Sequence, residues 1–182
     1  MTTHSTFIGG NHGPWKVTHM HTVAGESLDW ASHLRIDLDS TPGRDAGVWA
    51  LTGVASNLRY TERTEKEALT AIQAGLGRPE AICAALIPIR KTEAWWALSQ
   101  DERRHLFEDQ SHHIQTGLAY LPAIARKLYH CRDLGGPFDF LTWFEYAPAH
   151  AVQFEALVNA LRQTREWSYI SREIDIRLVR AS

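Results

Sequence analysis

A chain of 182 residues with 44% hydrophobic and 22% charged residues carries enough apolar material to bury one core, which excludes a disordered protein and argues against several domains. Its 19 basic and 21 acidic residues leave a formal net charge of -2 with no run of like charge, so it offers no electrostatic footprint for a nucleic-acid backbone or an anionic membrane. Met1 to Gly10 has neither a basic nor an apolar leader region, no stretch approaches about 18 uninterrupted apolar residues, and Cys83 and Cys131 form no CxxC or dense framework; the expectation is a cytoplasmic protein with no membrane partner.

In chain order, partial alternation of apolar and polar residues predicts strands over Trp15 to Val23, His33 to Leu38 and Val48 to Tyr60, with Pro42-Gly43 turning between the last two. Residues 61–77 carry both helical spacing (Ala68, Leu69, Ile72, Leu76) and flanking glycines, and no assignment is made there. Ala84 to Ile89 reads as a short buried strand ended by Pro88 and the basic pair Arg90-Lys91. Ser99 with Glu102 three residues on makes a capping box, which predicts a long helix from there to about Tyr120, before Pro122. Arg126 to Cys131 and Phe138 to Tyr146, separated by Gly135-Gly136-Pro137, read as a hairpin. Pro148 opens a helix with an apolar stripe at Phe154, Leu157, Val158 and Leu161, and Ile174, Ile176 and Leu178 alternate with Glu173, Asp175 and Arg177 in a final half-buried strand. The C-terminal half is therefore strand, helix, strand, strand, helix, strand, the ferredoxin-like βαββαβ order of an α+β protein with antiparallel sheets and helices on their outer faces. The strand-rich N-terminal half reads as a shortened second copy, giving halves 1–90 and 91–182 in one compact unit.

On the helix that begins at Ser99, His105, Glu108, Asp109, His112 and His113 bring metal-ligand residue types together, with Asp109 and His113 at i, i+4. A di-metal bundle would need a matching Glu-x-x-His on a second helix, and the sequence has no such copy. A solvated helix face with one or two packed histidines is the plainer alternative. The ten histidines and seven tryptophans suit either a flat aromatic cofactor or an ordinary core.

The segments IPIRKTEAWW (87–96), EDQSHHIQTGLAYLPAIARKLYHCRDLGGPFDFLTWFEYAP (108–148) and REW (165–167) closely resemble the chlorite dismutase family, from about Ser56 to the C-terminus. The resemblance implies a dimeric α+β barrel type of fold and a haem b held in the C-terminal half. The short N-terminal half resembles the short-subunit branch, whose members are homodimers. The implied proximal iron ligand is His113, as a neutral imidazole; His112 would point about 100° away on a helix. Glu166 matches the carboxylate that accepts a hydrogen bond from the ligand's other ring nitrogen, and Lys91 matches the lysine paired with it. Read on its own, Glu166 would be a surface residue in a charged turn. Arg126 matches the distal arginine of active chlorite dismutases, a fixed cation able to attract chlorite and retain hypochlorite. Gln73 matches a residue that can hydrogen-bond this arginine. Arg59, Tyr60 and Trp95 match contacts to haem propionates, and Trp96 a proximal aromatic neighbour; for the aromatic residues, core packing is the equal alternative.

The implied activity is that of a chlorite dismutase (chlorite O2-lyase), a haem and iron oxidoreductase that detoxifies chlorite by converting it to chloride and dioxygen through a ferryl/hypochlorite intermediate. Two alternatives share the fold: a coproheme decarboxylase of haem synthesis, against which Arg126 and the short chain argue, and a haem-binding or sensing protein without turnover.

Overall fold

The computed structural model describes residues 3–39, 47–55, 75–110 and 123–182, the side chains at 108–110 excepted. Eight strands in these segments close into an antiparallel barrel: β1 (His4–Gly10), β2 (Trp15–Ala24), β3 (His33–Leu38), β4 (Trp49–Ala55), β5 (Cys83–Lys91), β6 (Ile124–His130), β7 (Phe140–Tyr146) and β8 (Ile170–Arg180). Round the barrel they follow the order β1-β3-β2-β8-β5-β7-β6-β4, and β4 pairs back onto β1. The two halves thus share one internal succession, β4-β1-β3-β2 and β8-β5-β7-β6, joined by β2 against β8 and by β4 against β6. The β4–β6 seam is short, Val54 opposite His130 and Ala55 opposite Tyr129. Gly53 lets it close, because a Cβ there would lie 2.8 Å from the Cβ of Tyr129.

Alternation along each strand divides two cores. Phe7, Trp15, Leu34, Leu86, Trp143, Ile174 and Ile176 point into the barrel and pack together. Ala85, Ile87, Ile89, Ile124, Phe140 and Phe144 point outward from the C-terminal half and meet Phe154, Leu157, Val158 and Leu161 of α3 (Ala151–Arg162). That apolar stripe is the one the sequence predicts, and it fixes which face of the helix turns to the sheet.

Four expectations change. The strand β1 has no sequence signal, because Ser5 to Gly10 are all buried and neither alternate nor form a long apolar run. Pro88 lies inside β5 and does not end it: it pairs with Leu141 of β7, while the ladder to β8 steps from Leu86–Ile176 to Ile89–Glu173, where a missing N–H costs nothing. Among the described residues the helix capped at Ser99 is α-helical over Gln100–Arg104 (α2), and a preceding short helix, α1 (Glu93–Ala97), is capped by Thr92. From His105 to Gln110 the chain winds as a π-helix instead of continuing the α-helix; the rest of the expected helix, with the i, i+4 partner His113, and the Pro42-Gly43 turn lie outside the described residues. Lastly, β8 is buried on both faces: Glu173 and Asp175, expected toward solvent, are 1% and 5% exposed beneath α3.

Candidate active site

The outward face of β5 and β6, beside α1 and the turn that follows α3, gathers Lys91, Arg126 and Glu166, three of the charged residues singled out in the sequence. On β5 the outward row Ala85, Ile87, Ile89 continues to Lys91, where a register shift between Arg90 and Lys91 marks a bulge at the strand end. Opposite it, α3 stops at Gln163, and Arg165–Tyr169 forms a 3-10 turn that carries Glu166. The Thr92 amide donates to the carbonyl of Tyr169 at 2.7 Å and ties this turn to the start of α1.

Lys91 Nζ donates to Glu166 Oε1 at 2.6 Å, and both residues are buried, 4% and 3% exposed. Burial pushes the Lys91 amine below its ordinary range, while the charge and hydrogen bond of Glu166, and then the charge of Asp139, oppose that fall. The ammonium also lies 4.0 Å from the centre of the Trp95 ring and 5.9 Å from that of Trp167. Trp95 is buried, its amide donates to Thr92 Oγ1, and its ring meets Tyr169 edge-on at 5.5 Å.

Arg126 is half-buried on β6 between Ile124 and Leu128, both packed in the outer core, and alternation places it on that face. Burial lowers the affinity of its guanidinium for its proton, and the negative charge of Glu166 opposes the change. An arginine so placed stays cationic.

Of the residues singled out in the sequence, Lys91, Trp95 and Glu166 are brought into contact and Arg126 shares their face. The surface reading of Glu166 is overturned by its burial. Trp96 is not joined to Glu166: its indole N–H donates to Asp139 Oδ2 at 3.2 Å, and its ring stacks on Phe140 at 6.1 Å with the Arg132 guanidinium 3.8 Å from its centre. His113, His112, Gln73, Arg59 and Tyr60 lie outside the described residues. Two groups were missed. Asp139, buried where the chain enters β7, accepts from the Lys91 amide at 2.7 Å as well as from Trp96. Glu173 accepts from Trp167 Nε1 at 2.9 Å and from Arg162 Nε of α3 at 2.8 Å, and Arg162 reaches Asp175 at 2.8 Å. The available signal for the first was an acid inside the aromatic run PFDF. For the second, alternation of acids with isoleucines looks the same whether the acids meet water or an arginine from a covering helix. Cys131 has no reactive character, since burial and then Asp139 push its thiol up to about 12.

The donor set fits a haem. A buried carboxylate already neutralised by lysine can accept an imidazole N–H, an apolar and aromatic sheet face suits a macrocycle, and a fixed guanidinium on the same face suits a small anion.

The family model described as Chlorite dismutase matches residues 19–181 of this chain. A chlorite dismutase from Ideonella dechloratans is 36% identical over 86 residues, which are 47% of this chain and 28% of that protein, so the chain matches less than a third of that curated relative's length. A crystal structure of dimeric chlorite dismutases from Nitrobacter winogradskyi superposes with a TM-score of 0.91 at 61% identity, covering 97% of this chain and 99% of the other. The chlorite dismutase of Candidatus Nitrospira defluvii in complex with imidazole, at 23% identity and a TM-score of 0.68 over 98% of this chain and 91% of the other, shares the fold. With a match across nearly its whole length and the barrel in common, the chain belongs to the chlorite dismutase family.

Proposed function

We propose that the protein is a haem b-dependent chlorite dismutase that converts chlorite to chloride and dioxygen, a detoxifying reaction. The observation that carries this reading is the buried Lys91–Glu166 pair at 2.6 Å, on the face that also holds Arg126. A buried ion pair is a poor source of stability, because desolvating two charges offsets their attraction, so its presence asks for a use. Its use here is to hold one carboxylate, charged and oriented, for the second ring nitrogen of the iron ligand, assigned to His113.

When bound, haem supplies the iron centre at which oxygen is taken from chlorite and joined to a second oxygen. The chain's own residues do the rest. Arg126 attracts the anion, orients it and holds hypochlorite against escape; Gln73 is assigned to steady that guanidinium. Glu166, clamped by Lys91, keeps the proximal imidazole in one tautomer and raises its basicity. Arg59, Tyr60 and Trp95 are assigned to the propionates, and Trp96 packs beside the proximal side. The same reading takes the chain as two ferredoxin-like units, halves 1–90 and 91–182; the shared strand order of β1–β4 and β5–β8 supports two units but puts their boundary before Cys83, ahead of β5. It makes the protein a homodimer, and the two free cysteines suit a reducing cytoplasm.

The test is dissolved oxygen after chlorite is added to haem-loaded protein, against free haemin at equal concentration. Catalytic release near one dioxygen per chlorite is expected; bound haem with no oxygen above the haemin control would overturn the reading. In His113→Ala the ferric haem spectrum should lose its five-coordinate form, and an unchanged spectrum would move the ligand to His112.

A further inference from the structure

Asp139 belongs to none of the roles above, yet it lies at the crossing of three elements that build the site. One carboxylate oxygen, Oδ2, accepts both the main-chain N–H of Lys91 at the end of β5 and the indole N–H of Trp96 on α1. Its own main chain closes the entry to β7, with its N–H donating to Ile89 at 2.8 Å and its carbonyl accepting from Cys131 at 2.9 Å. Its other oxygen is 4.0 Å from Arg132 Nε, a long contact to a side chain 43% exposed. A carboxylate 6% exposed whose hydrogen bonds both come from neutral donors is an expensive way to hold a strand end, which an amide or hydroxyl could do at lower cost. What the carboxylate adds is negative charge that, after that of Glu166, favours the charged form of Lys91.

We propose that Asp139 is a positioning residue of the site: it fixes the main chain of Lys91, keeps its ammonium in place, and locks Trp96 to the same oxygen. The inference rests on the proposed function for its purpose, and its placement is testable without haem. The bulge at Arg90/Lys91 leaves the Lys91 amide outside the regular ladder, so the acceptor that sets the direction of this side chain is a side-chain oxygen. Stacking of Trp96 between Phe140 and Arg132, with Arg103 donating to the Trp96 carbonyl at 2.6 Å, fixes the indole plane so that its N–H is aimed at Asp139.

The experiment uses the full chain with 15N-labelled lysine. In the haem-free protein the Lys91 ammonium, buried against Glu166 and Trp95, is expected to give a slowly exchanging cross-peak. Asp139→Ala should speed that exchange at least tenfold, and Asp139→Asn, which keeps an oxygen but no charge, should fall between; Asp139→Asn also serves if the alanine variant does not fold. Asp133→Asn, on the neighbouring exposed turn, should change nothing. Unchanged Lys91 exchange in folded Asp139 variants would overturn the proposal. In haem-loaded protein the ferrous iron–histidine stretch should move to lower frequency in Asp139→Asn, and this change should vanish in a Lys91→Met background. A shift of equal size in both backgrounds would show that Asp139 does not act through Lys91, and no shift would reduce it to a brace of the fold. Failure of the wild-type chain to take up haem would sink the proposed function alone, leaving Asp139 to be decided by the ammonium.

Discussion

Two halves with the same succession of strands bury very different polar groups. Among the described residues, the polar side chains buried in the N-terminal half are the hydroxyls of Ser5 and Thr6, and Thr6 shares a 2.9 Å hydrogen bond with Thr52 on the adjacent strand β4. In the C-terminal half they are Lys91, Asp139, Glu145, Glu166, Glu173 and Asp175, all ionisable. A hydroxyl is satisfied by one neighbour and costs little to bury, whereas each charge needs a partner carried on a different element. That requirement explains the architecture. Lys91 at the end of β5 meets Glu166 on the turn after α3, and Glu173 and Asp175 on β8 meet Arg162 on α3. The same barrel frame thus supports register in one half and a site in the other.

The comparison predicts that single removals in the C-terminal half are severe. Lys91→Met leaves Glu166 buried without its cation and should cost about 3–5 kcal/mol in denaturant unfolding. Replacing both, as Lys91→Met with Glu166→Leu, should return stability to near or above wild type, since packed apolar groups avoid the desolvation of two charges. A double variant as unstable as the single one would mean that the pair holds the fold together. Arg126→Ala should keep haem while kcat/KM for oxygen release falls by roughly 100-fold, and full turnover would remove Arg126 from its role.

Smaller in effect is the acid response of Asp175. Burial alone would raise its carboxyl, but hydrogen bonds and charge from Arg177 and Arg162 override this and hold it below the ordinary range. Its folded pKa therefore lies below the unfolded value of about 3.9, so the stability it contributes is present above about pH 4 and is lost as pH falls through the folded value. Asp175→Asn should be less stable than wild type at pH 7, with the gap narrowing below about pH 4; a gap constant down to pH 2 would contradict the assignment. Smallest of all, Thr6→Val should cost about 0.5–1.5 kcal/mol, the worth of one neutral hydrogen bond.

Local signals were enough for much of the frame. The capping box at Ser99, the hairpin about Gly135 and the stripe of α3 are each set by residues a few positions apart, and each is found in place. Gly135, with φ of 73°, ends the short turn in the left-handed conformation glycine allows. What escaped depends on partners far along the chain. The burial of β1 comes from β3 and β4 on either side, and Pro88 is tolerated because of a gap in the ladder with β8. Glu166 and Lys91 are 75 residues apart, and nothing near either one in sequence announces the other; only the resemblance joined them. Asp139 and Glu173 were missed for the same reason, since a lone acid shows no sign of the distant donor that will meet it.

The central claim is that the Lys91–Glu166 pair is buried to serve the site and not the fold. Oxygen release from chlorite by the haem-loaded Lys91→Met/Glu166→Leu double variant tests this most directly. A folded, haem-binding double variant whose turnover falls at least tenfold is the predicted result, and wild-type turnover from that variant would contradict the account.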